Sequence, residues 1–261
     1  MKWKLLALAT ASIAVSASAQ VSSPAPEGIA AEDSAGFAKG NYATLDALPD
    51  WGGIWFVTFE RGPGVPPPAQ PQLKGEFLAS LEEWQSEVRA NDGVERRPRG
   101  NCSPPGLPRI MQLPQYPYEF LFTPGRVTIN QEAWMQTRTV WTDGRDHPPL
   151  EEVDPSYHGH SIGHWEGDTL VIDTIGISDA LEIDDGARHS DQFRLVERIT
   201  LSPEDPDVLV NHMIMTDPVA FAEPYEVTVR MRRDRHGSLI EFQCSQNDRN
   251  PVDADGYTQF D

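Results

Sequence analysis

Positive charge is scarce in this chain. Lys and Arg number 21 against 40 Asp and Glu, a formal charge of −19 over 261 residues. A protein this acidic would meet every phosphate against its own field, so nucleic acid and anionic lipid are excluded as expected partners. Long apolar runs are also missing. The stretch 5–15 is too short to span a bilayer as a helix, and no later segment is long and apolar enough to do so, so no membrane partner is expected. There is no internal repeat, no alternation of strand and helix that would build a nucleotide-binding sheet, and no Gly-x-Ser-x-Gly elbow around any serine. Cysteine is limited to Cys102 and Cys244.

The remaining composition is that of a globular protein, with 39% hydrophobic and 23% charged residues. The 23 prolines and 20 glycines indicate many turns, and 7 Trp with 10 Phe indicate an aromatic-rich interior. Lys2 and Lys4 precede the apolar run 5–15, and Ala17-Ser18-Ala19 precedes Gln20, the three-part pattern of a secretion signal. Residues 1–19 are therefore expected as a signal peptide, 20–48 as a flexible leader and 49–261 as a single β-barrel domain, with a periplasmic or secreted destination. Loss of two lysines takes the charge from −19 to −21. In an exported protein two cysteines suggest a Cys102–Cys244 disulfide, worth about 4 kcal/mol through the unfolded chain, the alternative being two buried thiols.

One helix is legible over 76–90, where Phe77, Leu78, Leu81, Trp84 and Val88 recur at spacings of three and four. Strands are expected at 52–58, 118–122, 126–131, 134–141, 158–165, 168–175, 193–201, 208–216, 225–233 and 239–244, with Pro-rich loops at 61–72 and 91–114. Nine or ten strands joined mainly in chain order define an all-β fold, an antiparallel up-and-down barrel of lipocalin or calycin type, or else a sandwich.

The segment GHSIGHWEGDTLVIDTIG (159–176) resembles the GHSxGxWEGDTLVxDT signature of a family of exported bacterial proteins. Further similar pieces are PGLPRIM (105–111), YEFLFTPGRVTI (118–129), RTVWTDGR (138–145), HSDQFRLVER (189–198) and EFQCSQN (241–247), so the resemblance runs from about Pro49 onward. It implies a lipocalin-like barrel, and LPDWGGIW (48–55) is similar to the Gly-x-Trp opening of such barrels; it implies no particular activity. His164 stands where relatives would carry Arg, which weakens a chemical role for it.

Four residues are candidate catalytic groups. In FRLVERITL, alternation puts Glu197 on the face of Phe193, Leu195, Ile199 and Leu201, the core side. A carboxylate there is either a general acid or base with a raised pKa or the partner of an inward Arg such as Arg138. With Glu166-Gly167 as the hairpin turn, His160 faces Asp173, and a carboxylate beside an imidazole suits proton transfer, or else forms a cross-strand structural pair. Arg138 would then hold an oxyanion. Trp55, Trp134, Trp141 and Trp165 could line a pocket for a flat apolar ligand, core packing being the alternative. His158-x-His160 invites a cupin-like metal reading, but Glu166 falls one step late for it. His189-Ser190-Asp191 reads as a loop cap, because contiguous residues cannot assemble a triad.

These readings favour a cofactor-independent isomerase, lyase or hydratase acting on a small apolar or aromatic compound, with no metal. The alternatives are a non-catalytic binding barrel for a small hydrophobic ligand and a metal-dependent cupin-like enzyme.

Overall fold

Alternation of apolar and polar residues repeats along strand after strand, and closure is how a sheet of that kind buries one whole face without leaving an edge. The computed structural model describes residues 42–59, 70–93, 95, 103–242 and 254, all within a compact unit of residues 37–261. Nine strands close into a barrel: β1 (Ile54–Thr58), β2 (Tyr118–Thr123), β3 (Arg126–Gln131), β4 (Gln136–Trp141), β5 (His160–Glu166), β6 (Thr169–Ile175), β9 (Arg194–Leu201), β10 (Val208–Thr216) and β11 (Tyr225–Asp234). A two-stranded sheet, β7 (Glu182–Asp184) with β8 (Ala187–Arg188), interrupts the chain between β6 and β9. The all-β barrel with one main helix thus matches the sequence reading.

The circuit departs from a pure antiparallel meander at one seam. β4 and β5 pair in parallel, Val140 with Ser161 and Trp141 with Ile162, after the long connection 142–159 returns the chain to the starting end. β4 begins at Gln136 rather than 134, because Trp134 (φ 53°) and Met135 (φ 51°) turn left-handed there. The expected strand at 239–244 is not formed at residues 239–242, and its remainder lies outside the described residues, as do Cys102 and Cys244. Tyr42–Ala47, inside the expected leader, is a 3-10 turn.

The inward residues fill the barrel. Trp55, Tyr118, Ile129, Val140, Ile172, Leu195, Ile199, Leu209, Met213 and Met231 are all fully buried. One end is plugged by Trp51, whose ring packs on Phe120, Phe122 and Trp165 at centroid distances of 5.3, 5.4 and 5.4 Å. The other is capped by the 3-10 turn Arg109–Gln112, with Ile110 and Met111 fully buried and Tyr118 Oη donating to the Ile110 carbonyl at 2.5 Å. Helix α1 (Gly75–Ala90) turns Leu81, Phe77 and Trp84 inward and leaves Leu78 exposed. Trp84 lies over Gly186 (φ +73°), where a Cβ would come within 2.4 Å of the indole.

Candidate functional site

Two polar clusters form on opposite sides of the barrel wall. The inner one is set by strand alternation. Arg138 precedes Val140 on the inward face of β4, Ser161 opens that of β5, Thr174 ends that of β6, Glu197 sits mid-β9 and Asn211 mid-β10. Arg138 Nη2 and Glu197 Oε2 form an ion pair at 2.6 Å, with both side chains essentially inaccessible at 1% and 0%. Arg138 Nε donates to Ser161 Oγ at 3.2 Å and Nη2 to Thr174 Oγ1 at 2.9 Å. Asn211 Nδ2 donates to Glu197 Oε1 at 2.8 Å. Each charge is thus met by its counterion and by neutral dipoles, the condition for ionised groups to persist in a protein interior, while Arg138 Nη1 and Asn211 Oδ1 have no hydrogen-bond partner among the described residues. Arg138 also acts on His158: burial first, and the guanidinium second, push that imidazole down to about 4.

The outer cluster contains the other two expected catalytic residues. The β5–β6 turn falls at Gly167-Asp168, so Glu166 opposes Thr169, Ile162 opposes Asp173 and His160 opposes Ile175. This register is displaced by two residues from the expected one, which preserves the face but separates His160 from Asp173 along the strand. His147, from the connection after β4, fills the gap. Its Nδ1 lies 2.8 Å from His160 Nδ1, and its Nε2 is 3.7 Å from Asp173 Oδ2. Arg194 clamps the same carboxylate with both Nε, at 2.7 Å to Oδ1, and Nη2. Burial holds both histidines below the ordinary imidazole range, so they are neutral at pH 7.

Glu197 and Arg138 therefore face the sealed interior, whereas His160 and Asp173 face outward, and the four form no common site. His158 and His160 do not share a strand face either. Gly159 between them has φ +59° and lies under the Ile175 carbonyl, 2.3 Å from where a Cβ would stand, and β5 starts only at His160. The cupin-like pairing is corrected accordingly. Among the described residues no group of three or more His, Cys, Asp or Glu side chains forms a metal cage.

The tryptophans are dispersed. Trp55 lies inside under the Arg233 guanidinium, 4.5 Å from its ring, and donates Nε1–H to the Trp51 carbonyl. Trp165 belongs to the end plug, 5.3 Å from Phe122. Trp134 packs at the capped end against Tyr116 and Phe242, and Trp141 carries Arg145 on its ring at 3.8 Å. Ser190 acts in the expected loop cap: its N–H and Oγ–H both go to buried Asp217, which also accepts from the amides of Val219 and Ala220.

An open cleft of about 740 Å³ adjoins the outer cluster. Its apolar wall is Leu150, Val153, Ile175, Ile177, Phe193 and Pro218, and its charged groups are Glu151, Asp179, Asp191 and Arg194. Arg194 and Ile175 tie it to the cluster, the first through Asp173 and the second as the register partner of His160. None of the four tryptophans expected to bind ligand lines it. Sequence reasoning missed His147, Arg194 in this role, and the cleft itself. Asn211 was findable, since LVNHMIM shows the same inward alternation that exposes Glu197.

Comparison with protein-family models, curated proteins and solved structures returned no match.

Proposed function

We propose that the protein is an exported barrel that binds a small amphipathic amine in the outer cleft. The observation that carries this reading is the cleft's composition: an apolar wall beside three acids, with its one cation, Arg194, already committed to Asp173. Such a surface favours an apolar body bearing a positive group, and the net charge of −19 draws cations toward it. Export rests on the basic, apolar and small-residue order of the first 19 residues and on the resemblance to exported bacterial proteins. Fluorescence titration with 1-naphthylmethylammonium and, separately, 1-naphthylacetate tests the ligand class. The cation should bind at least tenfold more tightly, and Leu150→Trp, which fills the mouth, should abolish the difference. Equal affinities for the two probes would contradict the reading.

A second reading, the acid–base enzyme, has one observation in its favour. His147 is hydrogen-bonded to His160 at 2.8 Å, and Asp173 lies 3.7 Å from the far nitrogen of His147, an order of groups that would orient a neutral imidazole beside the cleft once that last gap closed. Solvent-deuterium incorporation into a panel of aryl ketones and enones should then proceed above buffer background and vanish in His160→Gln. Exchange that persists in that variant, or is absent with the parent, removes this reading.

A further inference from the structure

We propose that His147 Nδ1 and His160 Nδ1 together bind a divalent transition-metal ion, best Cu²⁺, in an open site on the outer wall of the barrel. The two nitrogens face one another at 2.8 Å, their rings inclined at 67°. Metal–imidazole bonds of about 2.0–2.1 Å at the near-right angles of a tetragonal ion bring two nitrogens to about 3 Å, so the spacing already fits and binding requires the two rings to turn until both lone pairs meet at the ion.

The tautomers are set by the far side of His147. The Asp173 carboxylate, 3.7 Å from Nε2 and so beyond direct hydrogen-bond reach, favours the proton there by its charge, which leaves the Nδ1 lone pair aimed at His160. Without metal, His160 donates its Nδ1–H into that lone pair; when the ion binds, this proton passes through solvent to His160 Nε2, the ring stays neutral, and the ion takes both Nδ1 lone pairs. Asp173 then stands behind a ligating histidine, as carboxylates commonly do behind metal-bound imidazoles, and Arg194 fixes it in turn. The side chains of His147 and Asp173 remain 14% and 20% exposed, which leaves an approach for the ion. Two protein nitrogens leave the other coordination positions to water or to a ligand from the neighbouring cleft. The inference is independent of the amine reading, and an occupied site replaces the proton shared in the enzyme reading.

Copper titration of the full chain, followed by electron paramagnetic resonance, tests it. The parent should bind one equivalent of Cu²⁺ with hyperfine structure from two nitrogens, and affinity should fall in the order Cu²⁺, Ni²⁺, Zn²⁺. His147→Ala and His160→Ala should each lose one nitrogen from the spectrum and weaken binding at least tenfold. Asp173→Asn should keep the two-nitrogen spectrum and weaken binding about tenfold, the effect of a positioning residue. His212→Ala, which removes an exposed imidazole paired with Glu226, should change nothing. Circular dichroism verifies that each variant is folded. A two-nitrogen spectrum and affinity that survive both His147→Ala and His160→Ala would overturn the assignment, as would a parent that shows only the signal of hydrated copper.

Discussion

Replacing Glu197 by Gln is expected to lower the free energy of unfolding by about 3–5 kcal/mol, the usual cost of leaving a buried charge without its partner. The carboxylate is inaccessible, lies 2.6 Å from Arg138 Nη2, and accepts from Asn211. The amide keeps the shape and can still meet Asn211, but it leaves the guanidinium with only Ser161 and Thr174 around it. The Arg138 side chain is only 1% exposed, so the loss should appear in full in equilibrium denaturation. The pair as a whole contributes much less than this figure. Its attraction is offset by the desolvation of two ions, so Arg138→Met combined with Glu197→Leu should recover most of the loss. A Glu197→Gln protein as stable as the parent would mean that the carboxylate is not needed as a counterion, and would restore it as a candidate proton-transfer group. The expected loss makes it architecture instead.

Acid should destabilise the fold well before the carboxylates titrate, and His158 should be the largest single cause. Its folded pKa is pushed down to about 4 from 6.5, by burial first and by Arg138 second. Well above pH 6.5 neither the folded nor the unfolded chain holds the proton, and the residue has no effect on the pH dependence. As pH falls from 6.5 toward 4 the unfolded chain takes up a proton that the folded chain refuses, so stability declines, by about 3 kcal/mol once pH reaches 4. His147, His160 and His189 are shifted in the same direction, each mainly by burial, and add to the slope. Urea denaturation at pH 7, 5.5 and 4.5 should show the decline in the parent and a clearly shallower one in His158→Gln. Parallel curves for the two proteins would mean that His158 is not held neutral by the fold.

What was legible in the sequence was whatever depends on period two. Alternation in FRLVERITL and LVNHMIMTD fixes the inward faces of β9 and β10, and with them the burial of Glu197; its pairing with Arg138 followed from the cost of a lone interior charge. The chain order of strands was legible for the same reason. The outer cluster was not, because it depends on register and on a loop. A hairpin turn one residue later moves each cross-strand partner by two, so the face of His160 and Asp173 was right while their contact was wrong. His147 carries no periodic signal, lying between Asp146 and Pro148 in a connection whose path is decided by the parallel seam with β5. The division at Gly159 was equally hidden: spacing put His158 and His160 on one face, and a single left-handed glycine sends them to different surroundings. The tryptophans illustrate a third limit, since composition shows that aromatic bulk is present and not where it converges.

On the proposed function, ligand is met outside the packed barrel interior, in the cleft beside Phe193 and Ile177. A crystal structure of the protein with bound 1-naphthylmethylammonium tests it most directly. The naphthyl ring should lie against Leu150, Ile177 and Phe193, the ammonium group beside Glu151, Asp179 or Asp191, and the Arg138–Glu197 pair should be unchanged. A ligand found inside the barrel, in contact with Arg138 or Glu197, would contradict it.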